Sequence, residues 1–438
     1  MKLFHAFVLM ICAALPAWAA VDIKEVKSPG GLTAWLVEDH SIPFVALELR
    51  FRGGGSLDAP GKRGSVNFMT GLLEEGAGDL DARAFTTATE ELATTFGFDV
   101  THDEVSISAR FLTENRDASI ALLRDALQSP RFDADAIERV RAQLLSGIQS
   151  NLTNPDEIAT RTFNRIAYGD HPYGSDYAGT LESVAALTRE DLLAAHAGVF
   201  ARDRVIISAV GDITPEQLAQ VMDTLLGALP ETGAPMPPQA DLTIPGGTTV
   251  VDFATPQSVA RFGHAGIKQD DPDYFAAVLL NHVLGGGSFE SRLMSEVREK
   301  RGLTYGVYSY LAPRDLAAVY LGGVSSANDR ISEAIEVIRD EWQKAATQGL
   351  SQEELDAAKT YITGAYPLRF NGNTRIANIL AGMQMINLPI DYIPTRNDRV
   401  QAVTLEDVKR VADYLLDPEG LHFVVVGQPE GVETTTSN

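Results

Sequence analysis

Two short runs near the start of the chain, Leu32 to Glu38 and Phe44 to Arg52, read as strands. Asp39-His40-Ser41-Ile42-Pro43 joins them, and its polar residues and proline suit a turn. Gly64 to Glu75 then carries Val66, Met69, Leu72 and Leu73 at helical spacing. Val100 to Phe111 returns to strand character, with a polar Thr101-His102-Asp103-Glu104 stretch that reads as a solvated turn. Helical stretches follow near 116–128, 134–150 and 155–167. Strands and helices mix without regular alternation, which predicts an α+β fold rather than a doubly wound parallel sheet.

The same pattern occurs twice. Residues 186 to 192 read Ala-Leu-Thr-Arg-Glu-Asp-Leu, and residues 402 to 408 read Ala-Val-Thr-Leu-Glu-Asp-Val. Each precedes a helical stretch and then an apolar strand ending in Val-Gly, Val205 to Gly211 and Phe423 to Gly427. Both landmarks recur at one offset of 216 positions (186 to 402, 211 to 427), which argues for two tandem duplicated domains, each a mostly antiparallel sheet packed with helices. The boundary falls at residues 229–247, where Pro230, Pro235, Pro237, Pro238 and Pro245 predict a stiff, extended linker. The expected domains are 20–228 and 248–438.

Residues 1–19 stand apart. Lys2 supplies a positive start, Leu3 to Pro16 an apolar core, and Ala17-Trp18-Ala19 small residues at the outer cleavage positions, as in a secretory signal peptide. Its removal would expose Ala20 and take away Cys12, the only cysteine, so no disulfide framework or Cys-ligated metal site is expected. The formal net charge of -23 disfavours nucleic acid and anionic membrane as partners. A periplasmic location, with no membrane insertion after cleavage, is the resulting expectation.

Three segments carry a resemblance. Tyr168-Gly169-Asp170-His171-Pro172-Tyr173-Gly174 leads into Gly179-Thr180-Leu181-Glu182 and the first copy of the repeat. Leu284-Gly285-Gly286-Gly287 runs into Ser291-Arg292-Leu293 and Val297-Arg298-Glu299-Lys300-Arg301-Gly302-Leu303-Thr304-Tyr305. Gly53-Gly54-Gly55-Ser56 is followed by Gly64 and an apolar helix. Together these resemble the pitrilysin/insulinase family of zinc peptidases, in its shorter two-domain branch that includes mitochondrial processing peptidase.

The resemblance implies H-x-x-E-H on the first-half helix, two zinc ligands and a general base, with a third ligand Glu on a later helix. The matching positions here are Asn67, Thr70, Gly71 and Gly147. None of these supplies a zinc ligand or the carboxylate base, so no zinc is expected in this chain. His102-Asp103-Glu104 and Glu74-Glu75 are the other metal candidates; they read better as a solvated turn and the charged end of a surface helix. His171 and His282 read as packing or hydrogen-bonding residues.

Arg298 and Tyr305 match the Arg and Tyr with which active members hold the substrate backbone and stabilise the oxyanion. On their own, a cation near a helix C-terminus complements the helix dipole and tyrosine is common in strands; the surrounding motif favours the functional reading. Phe289 to Lys300 reads as helical, Gly302 as its cap and Thr304 to Leu311 as strand, so both side chains are expected to face one cleft. Gly285, Gly286 and Gly287 read as a flexible connection between helices, as a loop where backbone approaches an extended peptide, or as both. The resulting expectation is a non-catalytic subunit of a heterodimeric exported zinc peptidase. The partner would be an H-x-x-E-H homologue carrying the zinc, and the substrates peptides or unfolded segments. The alternative is a peptide-binding or scaffold protein that keeps the fold without catalysis.

Overall fold

A computed structural model describes residues 21–435; the segment 1–19 lies outside them. Strands β1 (Lys24–Lys27), β2 (Thr33–Glu38) and β3 (Phe44–Arg52) open the first half, and β4 (Gly76–Ala77) pairs with β5 (Leu80–Asp81) in a small separate ribbon. Strands β6 (Thr95–Val100), β7 (Glu104–Leu112) and β8 (Val205–Gly211) complete a six-stranded sheet of order β1-β2-β8-β3-β7-β6. In the second half, β9 (Gly247–Asp252), β10 (Gln257–Ala265), β11 (Val307–Pro313), β12 (Ala318–Ala327) and β13 (His422–Gly427) form a five-stranded sheet of order β9-β13-β10-β12-β11.

Without β1, the two orders match strand for strand. The single parallel pair of each sheet also falls in the same place, β2 with β8 and β9 with β13, and every other pair is antiparallel. The fold is α+β and duplicated. The repeated sequence has a physical reason in both halves: Thr188 and Asp191, and Thr404 and Asp407, are reciprocal capping boxes opening the helices Arg189–Val199 and Leu405–Leu415. The repeated glycine ends β8 at φ 134° in Gly211 and β13 at φ 153° in Gly427. A Cβ there would lie 2.3 Å from the Phe44 carbonyl oxygen in one half and 2.4 Å from Ser258 Oγ in the other.

One face of each sheet is covered by helices of its own half. Val45, Leu47, Leu49 and Phe51 of β3 meet Leu123, Leu127, Leu218 and Met222, and Phe262 and Phe423 meet Trp342 and Val411. The opposite faces are closed reciprocally. Phe163 and Ala167 of the first-half helix Pro155–Tyr168 pack with Val319, Leu321, Val424 and Val426 of the second sheet. Ala377 and Leu380 of the second-half helix Asn373–Met385 pack with Trp35, Ala46 and Val210 of the first.

Residues 229–247 hold no helix, and strand begins only at Gly247. The segment is bonded to both halves rather than a free spacer: Arg202 N donates to Pro230 O (2.9 Å), Ala240 N to Leu316 O (2.8 Å) and Thr243 N to Ala167 O (3.1 Å). Among the described residues no helix is long and apolar enough to cross a membrane.

Candidate functional site

The helix Ser65–Gly71 carries three of the four zinc-site positions. It starts after Gly64, at φ 92°, without a side chain of its own in the cap. Asp58 takes that role, accepting from Gly64 N (2.8 Å), Val66 N (2.8 Å) and Ser65 Oγ (2.7 Å). Burial pushes the Asp58 carboxyl up, and these three donors pull against it. Thr70 donates its hydroxyl to Val66 O (2.8 Å) within the helix, and has no carboxylate to act as a base. Gly71 and Gly147 present no donor atom. A Cβ on Gly71 would meet only Val140 Cγ1 at 3.4 Å, and one on Gly147 nothing within 4 Å. Room for side chains therefore remains, and what is missing is donor chemistry. Among the described residues no group of three His, Cys, Asp or Glu is placed to hold a metal ion. The residues at these positions do not fit zinc.

The second-half segment departs from the expected single helix. Ser288–Glu290 is a 3₁₀ turn, and Met294–Glu299 is wound in the wider π form. Lys300 N reaches Ser295 O (3.0 Å) and Leu303 N reaches Val297 O (2.9 Å). Gly302 does terminate the helix, at φ 61°. Strand β11 starts at Val307, so Tyr305 lies in the connection before it rather than within the strand. Thr304 fixes that connection: its hydroxyl bonds Ser325 O (2.6 Å) and Gly306 O (2.8 Å). Tyr305 projects outward and is 89% exposed. Arg298 is half-buried, with its guanidinium 4.6 Å from the Phe289 ring centroid. No hydrogen bond or cation–π contact joins Arg298 to Tyr305 among the described residues.

The glycine run has a packing role that rules out a merely flexible connection. His282–Gly286 is also π-wound, and Gly285 is buried against β11, where a Cβ would lie 2.3 Å from Ser309 Oγ. At Gly286 a Cβ would meet Asn281 Nδ2 at 2.5 Å, and at Gly287 the His282 carbonyl oxygen at 2.6 Å. His282 stacks on Tyr361 at 5.1 Å, and His171 bonds Pro238 O (3.0 Å), both as packing and bonding residues.

The expected solvated turn at His102-Asp103-Glu104 is instead a junction between the halves. His102 Nε2 donates to Ser175 O (2.9 Å), and burial holds its imidazole down at about 4. Asp103 accepts from the Tyr173 hydroxyl, which itself accepts from Leu316 N (3.1 Å) of the second half. Beside it, Arg52 bonds Asp315 (3.1 Å) and the Gln384 and Met385 carbonyls. His102 is covered here by Tyr173, Ser175 and Tyr177 of its own half, and Asp103 is tied through Tyr173 to the other half.

Sequence reasoning missed Glu48. Strand β3 puts Glu48, Arg50 and Arg52 on one face, the pattern of a solvated face, yet Glu48 is only 3% exposed. Arg50 pairs with Glu104 (2.7 Å), while Glu48 has no hydrogen-bond partner among the described residues. Burial pushes its carboxyl up to about 7, against the pull of Arg50. The covering helix Asn373–Met385 comes from the far end of the chain, and nothing local in β3 announces it.

Comparison with known proteins agrees with this architecture. Residues 34–181 match the model of the Insulinase (Peptidase family M16) family, and residues 186–362 that of the Peptidase M16 inactive domain. The chain is 27% identical to "Non-peptidase homolog YmxG" of Helicobacter pylori, over 89% of this chain and 90% of that protein. It is 24% identical to an uncharacterized zinc protease of Streptomyces coelicolor, over 89% of this chain and 86% of that one. A crystal structure of a peptidase M16 inactive domain from Pseudomonas fluorescens superposes with a TM-score of 0.88 at 29% identity, covering 95% of this chain and 100% of that one. Both halves and their order converge on one placement: the chain belongs to the insulinase family, peptidase family M16, as a member without zinc-donor side chains at Asn67, Thr70, Gly71 and Gly147.

Proposed function

We propose that this protein is the non-catalytic subunit of a heterodimeric, exported zinc peptidase, completing the active site of an H-x-x-E-H partner. The observation that carries the reading is the contrast between the two halves. All four zinc-site positions have lost their chemistry, while Arg298 and Tyr305 remain, both side chains without a hydrogen-bonding partner among the described residues. A tyrosine hydroxyl held out in solvent contributes nothing to folding, and it suits a group awaiting a substrate or a partner's site. In this reading the zinc, the attacking water and the base belong to the partner. Arg298 and Tyr305 hold and polarise the scissile carbonyl. Extended peptide is bound by addition to a sheet edge, with the Gly285–Gly287 backbone close by. The leader-like residues 1–19 support export to the periplasm.

The test is reconstitution with a homologue that carries H-x-x-E-H and lacks the Arg/Tyr pair, following peptide turnover and complex mass together. Turnover that requires this chain and is lost with Tyr305→Phe supports the reading. A second reading, a peptide-binding or scaffold protein, is favoured by the similarity to a protein described as a non-peptidase homologue. It expects intact complexes whose turnover ignores both side chains.

A further inference from the structure

Because the sheets are duplicated, each half is an internal control for the other. Glu48 lies opposite Ser208, three residues before Gly211, and Arg261 lies opposite Val424, three residues before Gly427. The two therefore occupy one position of the repeat. On the next strand Ser108 corresponds to Gly323, and on the edge strand Gly97 corresponds to Tyr308. The sixth residue of the covering helix is Asn378 over Glu48 and Thr160 over Arg261.

The second half fills this place. Arg261 donates to the Tyr308 hydroxyl (2.8 Å) and to Thr160 Oγ1 (3.2 Å). In the first half Gly97 has no ring to offer, and a cavity of about 410 Å³ stands there, lined by Glu48, Asp99, Ser106, Ser108, Arg375 and Asn378 among others. Glu48, nearly fully buried and without a hydrogen-bond partner among the described residues, faces into it.

We propose that this cavity binds the charged head of an organic cation, an ammonium or guanidinium group, with Glu48 as the buried counter-ion and Asp99 as the outer one. The lining selects the chemistry. Serine hydroxyls and the Asn378 amide supply further acceptors, and a large apolar group would leave them unpaired. The charged groups facing Glu48 are Arg50 on its own strand, Glu104 on β7, Asp99 on β6 and Arg375 on the covering helix. Arg50 is bonded to both carboxylate oxygens of Glu104 (2.7 and 2.9 Å), so it is not available to neutralise Glu48. Two carboxylates against Arg375 leave one negative charge for a monovalent cation, and an anion would meet repulsion. Free amines and basic side chains of a peptide share this chemistry. The site belongs to the isolated chain and does not depend on a catalytic partner.

Calorimetric titration of the whole chain with methylguanidinium, at constant ionic strength, tests the proposal. Saturable one-to-one binding is expected, weakening about tenfold or more from pH 8 to pH 5.5 as Glu48 is protonated, with proton release near pH 7. Glu48→Gln keeps the side-chain shape and should weaken binding about tenfold or more. Asp99→Asn, on the exposed edge strand, should weaken it less, and gives a second variant if the buried change disturbs folding. Methylurea, the neutral analogue, should not bind. An arginine-containing hexapeptide that binds about tenfold tighter than methylguanidinium, and loses that advantage in Glu48→Gln, would identify a peptide side chain as the source; equal affinity would identify a free cation. No saturable binding of methylguanidinium at tens of millimolar, or an affinity unchanged in Glu48→Gln, overturns the proposal.

Discussion

The Arg298 guanidinium lies 4.6 Å from the centre of the Phe289 ring, and Phe289 is itself 59% exposed. The ring orients the cation without consuming its hydrogen-bond donors. In a reconstituted heterodimer, Tyr305→Phe should lower kcat by about 100- to 1000-fold, the usual worth of an oxyanion donor. The unfolding midpoint should stay put, because the side chain is almost fully exposed. Arg298→Ala should also cost turnover. Stopped-assay kinetics alongside native mass measurement check both, and near wild-type turnover in intact complexes would favour the scaffold reading.

The emptied zinc site should be refillable. The quadruple change Asn67→His, Thr70→Glu, Gly71→His and Gly147→Glu restores the family's donor set at positions where the two glycines leave side-chain space. Elemental analysis should find about one zinc per chain in the variant and no stoichiometric zinc in the parent. A metal-free variant that is folded would show that the helices no longer converge.

Glu48 gives a pH dependence of stability with a definite sign. Its folded pKa is raised to about 7 from 4.5, so the carboxyl costs nothing below the unfolded value. The cost grows as pH rises between those values and is constant above them. Glu48→Gln should therefore stabilise the protein by on the order of 1–3 kcal/mol at pH 8 and change little at pH 4.5. Urea unfolding at the two pH values measures it.

Tyr173 links the halves through one hydroxyl, donating to Asp103 and accepting from Leu316 N (3.1 Å). Tyr173→Phe keeps the ring, takes one donor from the Asp103 carboxylate and leaves the buried Leu316 N–H unpaired, at a cost of about 1–3 kcal/mol. Its denaturant midpoint should fall, while the sheet content seen by circular dichroism stays constant.

Much of this structure was legible because amphipathic helices and strand pairs announce themselves locally. The stretches near 116–128, 134–150 and 155–167 appear as Arg116–Gln128, Ala134–Asn151 and Pro155–Tyr168. The duplication was legible because a capping threonine and a strand-ending glycine are demanded by geometry in both copies. The winding around Arg298 was not. Its π form accompanies packing of the neighbouring Gly285 turn against Ser309, which no helical periodicity encodes. His102 was read as solvated and Glu48 was passed over for one reason: their covering elements come from a sequence-distant part of the chain, and polarity alone cannot reveal such a cover.

The exchange of the helices Pro155–Tyr168 and Asn373–Met385 makes the halves hostages to one another. Either half expressed alone would present a bare apolar sheet face and an orphaned apolar helix, two aggregation-prone surfaces at once. Severing the Pro-rich strap between them would not release two domains, because the interlocked faces would remain. The smallest unit of this chain that can bury both faces is therefore the pair.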